Sequence, residues 1–273
     1  MTETTPAPRR LLRAVRIALA IVIVGLLVHW VGPKEVGARL AACPPPILLV
    51  ALMAALLGQW LGALRFAQLA HLQGLPLTRM QAFSINLSTV FYGLFLPGGT
   101  ATSWVIRLLR LPGAREQLGL ALAIIAADRA FATAAGAALG LAADLLLVLP
   151  ATWVVSAGLA AAMSGSAFVA WALLSPAAAA WTQRWREVPL LYQLAQRLPG
   201  GRAVTRRLPI PAIGRAGLLS LGVHVLGIFA WWLLALGIGL ELGLLEITWA
   251  RSAALVVGLL PVTVGGLGLR EGT

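Results

Sequence analysis

The sequence predicts an all-α membrane protein, a polytopic transmembrane helical bundle with two Pro/Gly-broken re-entrant hairpins in an inverted-repeat arrangement. Hydrophobic residues make up 60% of the 273 residues and charged residues 11%, whereas soluble domains average about half and about one quarter. Long runs without charge recur along the chain, and about 20 helical residues cross the ~30 Å hydrocarbon core of a bilayer. Two of these runs contain a proline followed by glycines, at Pro97 and Pro261.

The first spans follow a short basic tail. Residues 1–10 are expected to form a cytoplasmic tail, and residues 11–31 the first span. The second span begins after Pro44, Pro45 and Pro46, because proline is tolerated at a helix start where the first amides lack partners. It is expected to end near residue 64, with Arg65 marking its cytoplasmic end.

The third segment, residues 80–110, is broken in the middle by Pro97, Gly98 and Gly99. Proline removes a helical hydrogen bond and glycine disfavours helix, so the freed backbone groups must face protein or water. Arginines flank the segment on both sides. A hairpin that enters and leaves the membrane on the cytoplasmic side keeps both ends inside.

Three further spans are predicted at residues 117–149, 152–174 and 216–240. Gly136 and Gly140 in the first of these have the spacing that lets helices approach closely. Between the last two of these spans, residues 180–215 place apolar side chains and arginines on opposite faces, which is typical of an interfacial helix on the cytoplasmic leaflet. A solvated linker is the alternative.

The last segment begins near Trp249 and contains the second break. Its glycines are Gly265, Gly266 and Gly268, and Arg270 and Glu271 follow. Each broken segment has a Leu-Pro step, then glycines, then an arginine about ten residues on, Arg107 in the first and Arg270 in the second. The two enter from opposite sides, an arrangement typical of a transporter's central site. Two unrelated proline kinks are the alternative.

The charge distribution predicts the orientation. The formal charge is +12, but the basic residues lie between apolar runs rather than on a polar face with aromatics, so nucleic-acid binding is not expected. With the N-terminus inside, nearly all arginines fall on the cytoplasmic side. We therefore expect a multi-pass protein of the cytoplasmic membrane with a cytoplasmic N-terminus.

Asp128 and Arg129 lie about twelve residues into the fourth span, near the middle of the bilayer. Adjacent helical residues do not face one another, so their partners must come from elsewhere. We predict that Asp128 pairs with Arg270 and Arg129 with Glu271. Such a polar site suits a phosphate-bearing head group, because arginine contacts phosphate in a bidentate manner. A purely structural charge network is the alternative.

Other polar residues give weaker indications of function. Asn86, Ser88 and Tyr92 in the third segment are explained by hydrogen bonds between helices, with direct function as the alternative. The three histidines are scattered without Cys or carboxylate neighbours at ligand spacing, so no metal is expected. No nucleophile elbow, phosphate loop or dinucleotide fingerprint is present, and no cofactor is expected.

The chain resembles the lysylphosphatidylglycerol synthase transmembrane region family, also called flippase-like membrane proteins. The resemblance lies in Arg65-Phe66, residues 95–99 with Arg107, residues 127–129, and residues 260–271, and it covers residues 11–273. It implies a translocator of membrane phospholipids or polyprenyl-linked lipids. In the namesake enzymes a soluble aminoacyl-transferase domain is attached; these residues contain no counterpart, so lysyl transfer by this chain alone is not expected.

Together these observations predict a lipid translocator whose polar cavity lies between the two hairpins. The site residues are expected to be Asp128, Arg129, Arg107, Arg270 and Glu271 together with the residues of the two breaks, Pro97, Gly98, Gly99, Pro261, Gly265, Gly266 and Gly268. A non-transporting membrane partner of a lipid-modifying enzyme, such as an aminoacyl-phosphatidylglycerol synthase or a glycosyltransferase, is the runner-up. An enzyme acting on lipid phosphate is a third reading.

Overall fold

The computed structural model describes residues 33–95, 99–114, 116–147, 153–174 and 208–259, and every regular element within these ranges is α-helical. The helices are α1 Pro33–Ala42, α2 Pro45–Leu72, α3 Arg79–Phe95, α4 Gly99–Arg110, α5 Leu118–Leu147, α6 Trp153–Leu174, α7 Ile210–Gly237 and α8 Leu244–Leu259. The predicted all-α class is confirmed.

Four of these helices are long and apolar enough to cross a membrane: Pro45–Leu72, Leu118–Leu147, Trp153–Ala170 and Ile210–Gly237. Large apolar side chains on their outer faces are exposed, among them Leu49, Met53, Leu218 and Val225. A helix that is apolar on all sides is a membrane or deep-core helix, and outward-facing apolar side chains suit hydrocarbon as the surroundings.

The long helices alternate in direction. Gly58 of α2 lies against Val223 of α7, and farther along Cys43, just before α2, reaches Gly237, so α2 and α7 are antiparallel. Along α5, Asp128 and Ala132 connect to Ser220 and His224 of α7 in the same order. Gly136 and Asp144 bond to Ser252 and Trp249 of α8 in the reverse order, and Gly140 and Asp144 lie against Leu159 and Ser156 of α6 in the reverse order. Helices α5 and α7 are parallel, and α2, α6 and α8 run opposite to them, as successive crossings of a bilayer require.

Helices α3 and α4 form an antiparallel pair around residues 96–98. The position of a Cβ on Gly93 would be 3.1 Å from the Ser103 hydroxyl, and Arg107 reaches back to Asn86. At 17 and 12 residues, the helices are about 26 Å and 18 Å long, each short of the ~30 Å hydrocarbon core. That this pair is re-entrant from the cytoplasmic side stays a prediction.

Several predicted boundaries shift. Helix α2 continues to Leu72, so Arg65 does not end it, and α7 begins at Ile210 rather than at 216. Helix α8 begins at Leu244, where the Gly243 amide donates to the Glu246 carboxylate at 2.6 Å. The predicted first span, nearly all of the interfacial segment and the second break lie outside the described residues, so the inverted repeat stays a prediction.

The main apolar core surrounds the C-terminal part of α2 and the N-terminal part of α5. Phe66, Leu69, Ile124 and Ile125 are fully buried there, together with small residues such as Ala121. Small residues allow helix backbones to approach closely where lipid gives no hydrophobic drive for association. This core lies beside the ionic cluster described next.

Candidate functional site

Asp128 is the centre of a buried ionic cluster. It lies in the third turn of α5, and its side chain is 0% exposed. One carboxylate oxygen accepts a hydrogen bond from Arg65 Nε at 2.8 Å, and the other accepts from Arg107 Nη1 at 2.5 Å. A buried carboxylate is tolerated only when it is paired and hydrogen-bonded, and both oxygens meet that condition.

Arg65 joins α2 to α5 and α7 through two hydrogen bonds in different directions. Besides Asp128, its Nη1 donates to the Ser220 hydroxyl of α7 at 2.8 Å. Ser220 in turn donates its proton to the carbonyl of Ala216 at 2.7 Å. The fixed fork of a guanidinium can serve two acceptors at once, which a lysine ammonium on a flexible stem does less well.

Arg107 of α4 connects the α3–α4 pair to the cluster. Its Nη2 donates to Asn86 Oδ1 at 2.7 Å, and the Asn86 amide donates to the Gln59 carbonyl of α2 at 3.3 Å. The guanidinium carbon also lies 4.9 Å from the centre of the Phe66 ring, a cation–π contact. Helices α2, α3, α4 and α5 therefore meet around one arginine.

Positive charge exceeds negative charge at this site. Arg129 is half-buried, and within the described part of the chain its Nε and that of Arg107 are buried without a hydrogen-bond partner. Arg65, Arg107, Arg129 and Asp128 interact electrostatically, and among the residues described here they carry a formal charge of +2. Arg270 and Glu271 have opposite charges, so including them would leave this excess unchanged.

Residues 13–273 match the family model described as the lysylphosphatidylglycerol synthase TM region. The chain belongs to this family. Comparisons with curated proteins and with solved structures gave no significant match. With four helices able to cross a membrane, the chain is an integral membrane protein of the lysylphosphatidylglycerol synthase TM region family.

The structure brings together some of the residues predicted for this family member. Asp128 and Arg107 bond directly, and Arg129 follows Asp128 on α5. Gly99 is the first residue of α4, about 12 Å along the helix from Arg107. The remaining candidates lie outside the described residues: Pro97, Gly98, Pro261, Gly265, Gly266, Gly268, Arg270 and Glu271. The pairings of Asp128 with Arg270 and Arg129 with Glu271 therefore stay predictions.

Three contributors were not foreseen as site residues. Arg65 was expected only to mark a helix end, and this was wrong, because its side chain is 4% exposed and bonded to Asp128. Its place in the Arg65-Phe66 motif of the family was the available indication. Ser220 has no sequence feature that distinguishes it from other serines in spans. Asn86 acts by hydrogen bonding between helices, as the structural interpretation proposed.

The described residues form no group of side chains that could bind a metal ion. No cluster of three or more His, Cys, Asp or Glu side chains is present there. His224 instead bonds through Nε2 to the Ala132 carbonyl at 2.8 Å. Because a carbonyl only accepts, Nε2 carries the proton in this contact.

Proposed function

We propose that the chain translocates anionic membrane lipids, phospholipids or polyprenyl-linked lipids, across the cytoplasmic membrane. The observation that carries the proposal is the excess of positive charge buried where α2, α3, α4, α5 and α7 meet. Family membership and the membrane-crossing helices are consistent with it.

An anion resolves the electrostatic problem at this site. A buried ionic group without a counter-charge costs several kcal/mol even after the protein relaxes. Asp128 balances one arginine, and the Nε–H groups of Arg107 and Arg129, which have no hydrogen-bond partner among the described residues, remain as donors. A phosphate supplies both negative charge and acceptor oxygens, and arginine binds phosphate in forked geometry.

Translocation requires the head group to cross while the acyl chains stay in lipid. A polar site inside the bundle lowers the cost of moving a charged head group through hydrocarbon, and the apolar outer faces of α2 and α7 leave the chains in contact with the bilayer. In this mechanism Arg129 receives the phosphate first, because it is partly accessible. Arg65 and Arg107 stay bonded to Asp128.

The test is transport in proteoliposomes with fluorescent lipids whose head groups are followed by a membrane-impermeant quencher. We expect phosphatidylglycerol to cross faster than in empty vesicles and faster than phosphatidylcholine. Arg129→Gln should slow transport of the anionic lipid at least about tenfold, since a lost charge-assisted hydrogen bond is worth about 1.5–3 kcal/mol. Arg110→Gln is the matched control, because Arg110 is exposed and bonds only to Ser88 among the described residues.

Two results would count against the proposal. Transport no faster than in empty vesicles for every lipid class would remove the translocator function. Equal rates for Arg129→Gln and wild type would remove the head-group role of the cluster. Loss of a co-purifying lipid-modifying enzyme from the same variant, without any transport by wild type, would favour the docking alternative.

A further inference from the structure

A polar cavity lies between α5, α7 and α8, apart from the Asp128 cluster. Its volume is about 370 Å³, within the range of roughly 300–1,000 Å³ of small-molecule sites. Its polar lining comes from His224 and Trp231 of α7 and from Arg251 and Ser252 of α8, and its apolar walls include Leu139 and Ile228. A cavity with apolar walls and a few convergent polar groups is the usual form of a ligand site.

Arg251 of α8 packs its side chain against two residues of α7. Its guanidinium carbon lies 5.6 Å from the centre of the Trp231 ring, a cation–π contact. It also lies directly against Gly227, where a Cβ atom would overlap the guanidinium. Glycine at 227 therefore makes the space in which Arg251 lies across α7.

The other polar groups offer acceptors. Ser252 donates its hydroxyl proton to the Gly136 carbonyl at 3.1 Å, which leaves its oxygen lone pairs available. Nε2 of His224 donates to Ala132, so in the neutral ring Nδ1 is an acceptor. The lining formed by the described residues therefore combines the Arg251 guanidinium with acceptors for hydroxyl groups, which suits a phosphate attached to a hydroxyl-bearing alcohol.

The cavity lies next to the Asp128 cluster along the α5–α7 interface. On α7, Ser220 belongs to the cluster and His224 lines the cavity one turn later, about 6 Å along the helix. On α5, the corresponding step runs from Asp128 to Ala132. Trp231 marks the far part of the cavity, about 16 Å beyond Ser220.

We propose that this cavity is a second binding site for the anionic lipid, in which Arg251 holds the phosphate and His224 and Ser252 accept hydrogen bonds from head-group hydroxyls. The lipid reaches it along the α5–α7 interface after leaving the Asp128 cluster. The choice of ligand rests on the proposed function. The two sites in series divide the crossing of the hydrocarbon into shorter steps.

The experiment measures binding at equilibrium and does not depend on transport. The reconstituted protein is mixed with brominated phosphatidylglycerol or brominated phosphatidylcholine, and quenching of Trp231 is obtained as the difference between wild type and Trp231→Phe. The subtraction is needed because the chain has 10 tryptophans. We expect the anionic lipid to quench Trp231 several-fold more effectively than the zwitterionic lipid.

Two pairs of variants test the site. Arg251→Gln should abolish the preference for the anionic lipid, whereas Arg215→Gln should not, because Arg215 is exposed on α7 and does not line the cavity. Gly227→Ala should weaken the preference by displacing the guanidinium while keeping its charge. Gly217→Ala is its control, since nothing lies within 4 Å of a Cβ there.

The outcomes separate the two proposals. Equal quenching by both lipids in wild type, or an unchanged preference in Arg251→Gln, would overturn the second site even if transport occurs. A clear preference without transport would support the second site and overturn the proposed function. Displacement of the brominated lipid by inorganic phosphate alone, as effectively as by phosphatidylglycerol, would show that the acyl chains add nothing and would overturn the lipid assignment.

Discussion

Single residues decide how the bundle tolerates charge at its centre. Asp128 accepts from two arginines that lie 63 and 21 residues before it in the chain. The arginines extend the contacts to Ser220 and Asn86. One carboxylate therefore links five helices, α2, α4 and α5 directly and α3 and α7 through the two arginines.

Replacement of this carboxylate should be strongly destabilising. Asp128→Asn keeps the shape but removes the charge, leaving Arg65 and Arg107 buried without an anion. Breaking a buried ion pair in this way costs about 3–5 kcal/mol. We expect a correspondingly lower free energy of unfolding for Asp128→Asn in SDS titrations of the protein in mixed micelles.

Glu116→Gln provides the control for the loss of one negative charge. Glu116 is exposed just before α5, and surface substitutions usually change stability by less than about 0.5 kcal/mol. Similar unfolding curves for Asp128→Asn and Glu116→Gln would show that Asp128 is not the electrostatic centre of the bundle.

The sequence identified Asp128 and Arg107 as site residues, but not that they bond to each other or that Arg65 joins them. Asp128 was recognisable because a carboxylate in the middle of an apolar span must be buried and paired. The residues that pair with Asp128 depend on which helices are neighbours. The spacing of residues within one helix does not predict which helices are adjacent. Arg65 illustrates this. Because it lies near a predicted helix end, the sequence is equally consistent with a cation that flanks the membrane and with a buried partner of Asp128.

At the scale of helices, α5 is the element around which the others are arranged. Residues four apart contribute contacts along a face that winds around the helix: Asp128 to the ionic cluster, Ala132 to His224, Gly136 and Gly140 to Ser252, and Asp144 to Trp249 and Ser156. The face extends over 16 residues, or about 24 Å. It therefore lines most of the thickness of the hydrocarbon core.

Close approach along this face depends on glycine at position 140. A Cβ atom there would overlap the Ser252 side chain and lie 2.9 Å from Leu159. Because the nearest Ser252 atom is its Cβ, the helices must separate to accommodate alanine. We expect Gly140→Ala to destabilise the protein by about 1–3 kcal/mol in the same SDS titration, the usual cost of overpacking.

Gly165→Ala on α6 is the matched control, because nothing lies within 4 Å of a Cβ at that position. Alanine is favoured over glycine in helices by about 1 kcal/mol, so this variant should be as stable as wild type or more stable. Equal stability of Gly140→Ala and wild type would contradict the tight packing of α5 against α6 and α8.

The spacing of Gly136 and Gly140 predicted a contact face on α5, and the structure confirms one. The predicted limits of α5 and α6 also lie within two residues of the observed ones at each end. The predicted start of α7 is six residues late, because Arg215 has the appearance of a boundary in the sequence. A helix entered by a proline can begin before its last flanking arginine, as α7 does after Pro209.

For the whole molecule, the alternating helix directions and the arginine distribution together predict a topology. Helices α5 and α7 should run from inside to outside, and α3 and α4 should form a hairpin with both ends inside. We expect cysteines introduced as Thr78→Cys and Glu116→Cys, each in a Cys43→Ser background, to react with an impermeant maleimide only from the cytoplasmic side. Both original residues are exposed.

Leu242→Cys, in the exposed turn between α7 and α8, is the opposite control and should react only from outside. Labelling of Thr78→Cys and Glu116→Cys from different sides would show that the chain crosses the membrane between them. The re-entrant prediction would then be wrong, although the antiparallel packing of α3 and α4 would still have to be explained.

The arrangement around Asp128 also has a consequence for how the protein is made. Arg65 leaves the ribosome 63 residues before its carboxylate partner, a delay of about 3–13 s at the usual synthesis rates of roughly 5–20 residues per second. During that time the second span holds an arginine with no counter-ion. Its position two turns from the end of α2 lets the side chain reach the head-group region until Asp128 has been synthesised. We expect insertion of α5 to draw Arg65 inward, so that this span reaches its final depth only after the chain beyond it has entered the membrane.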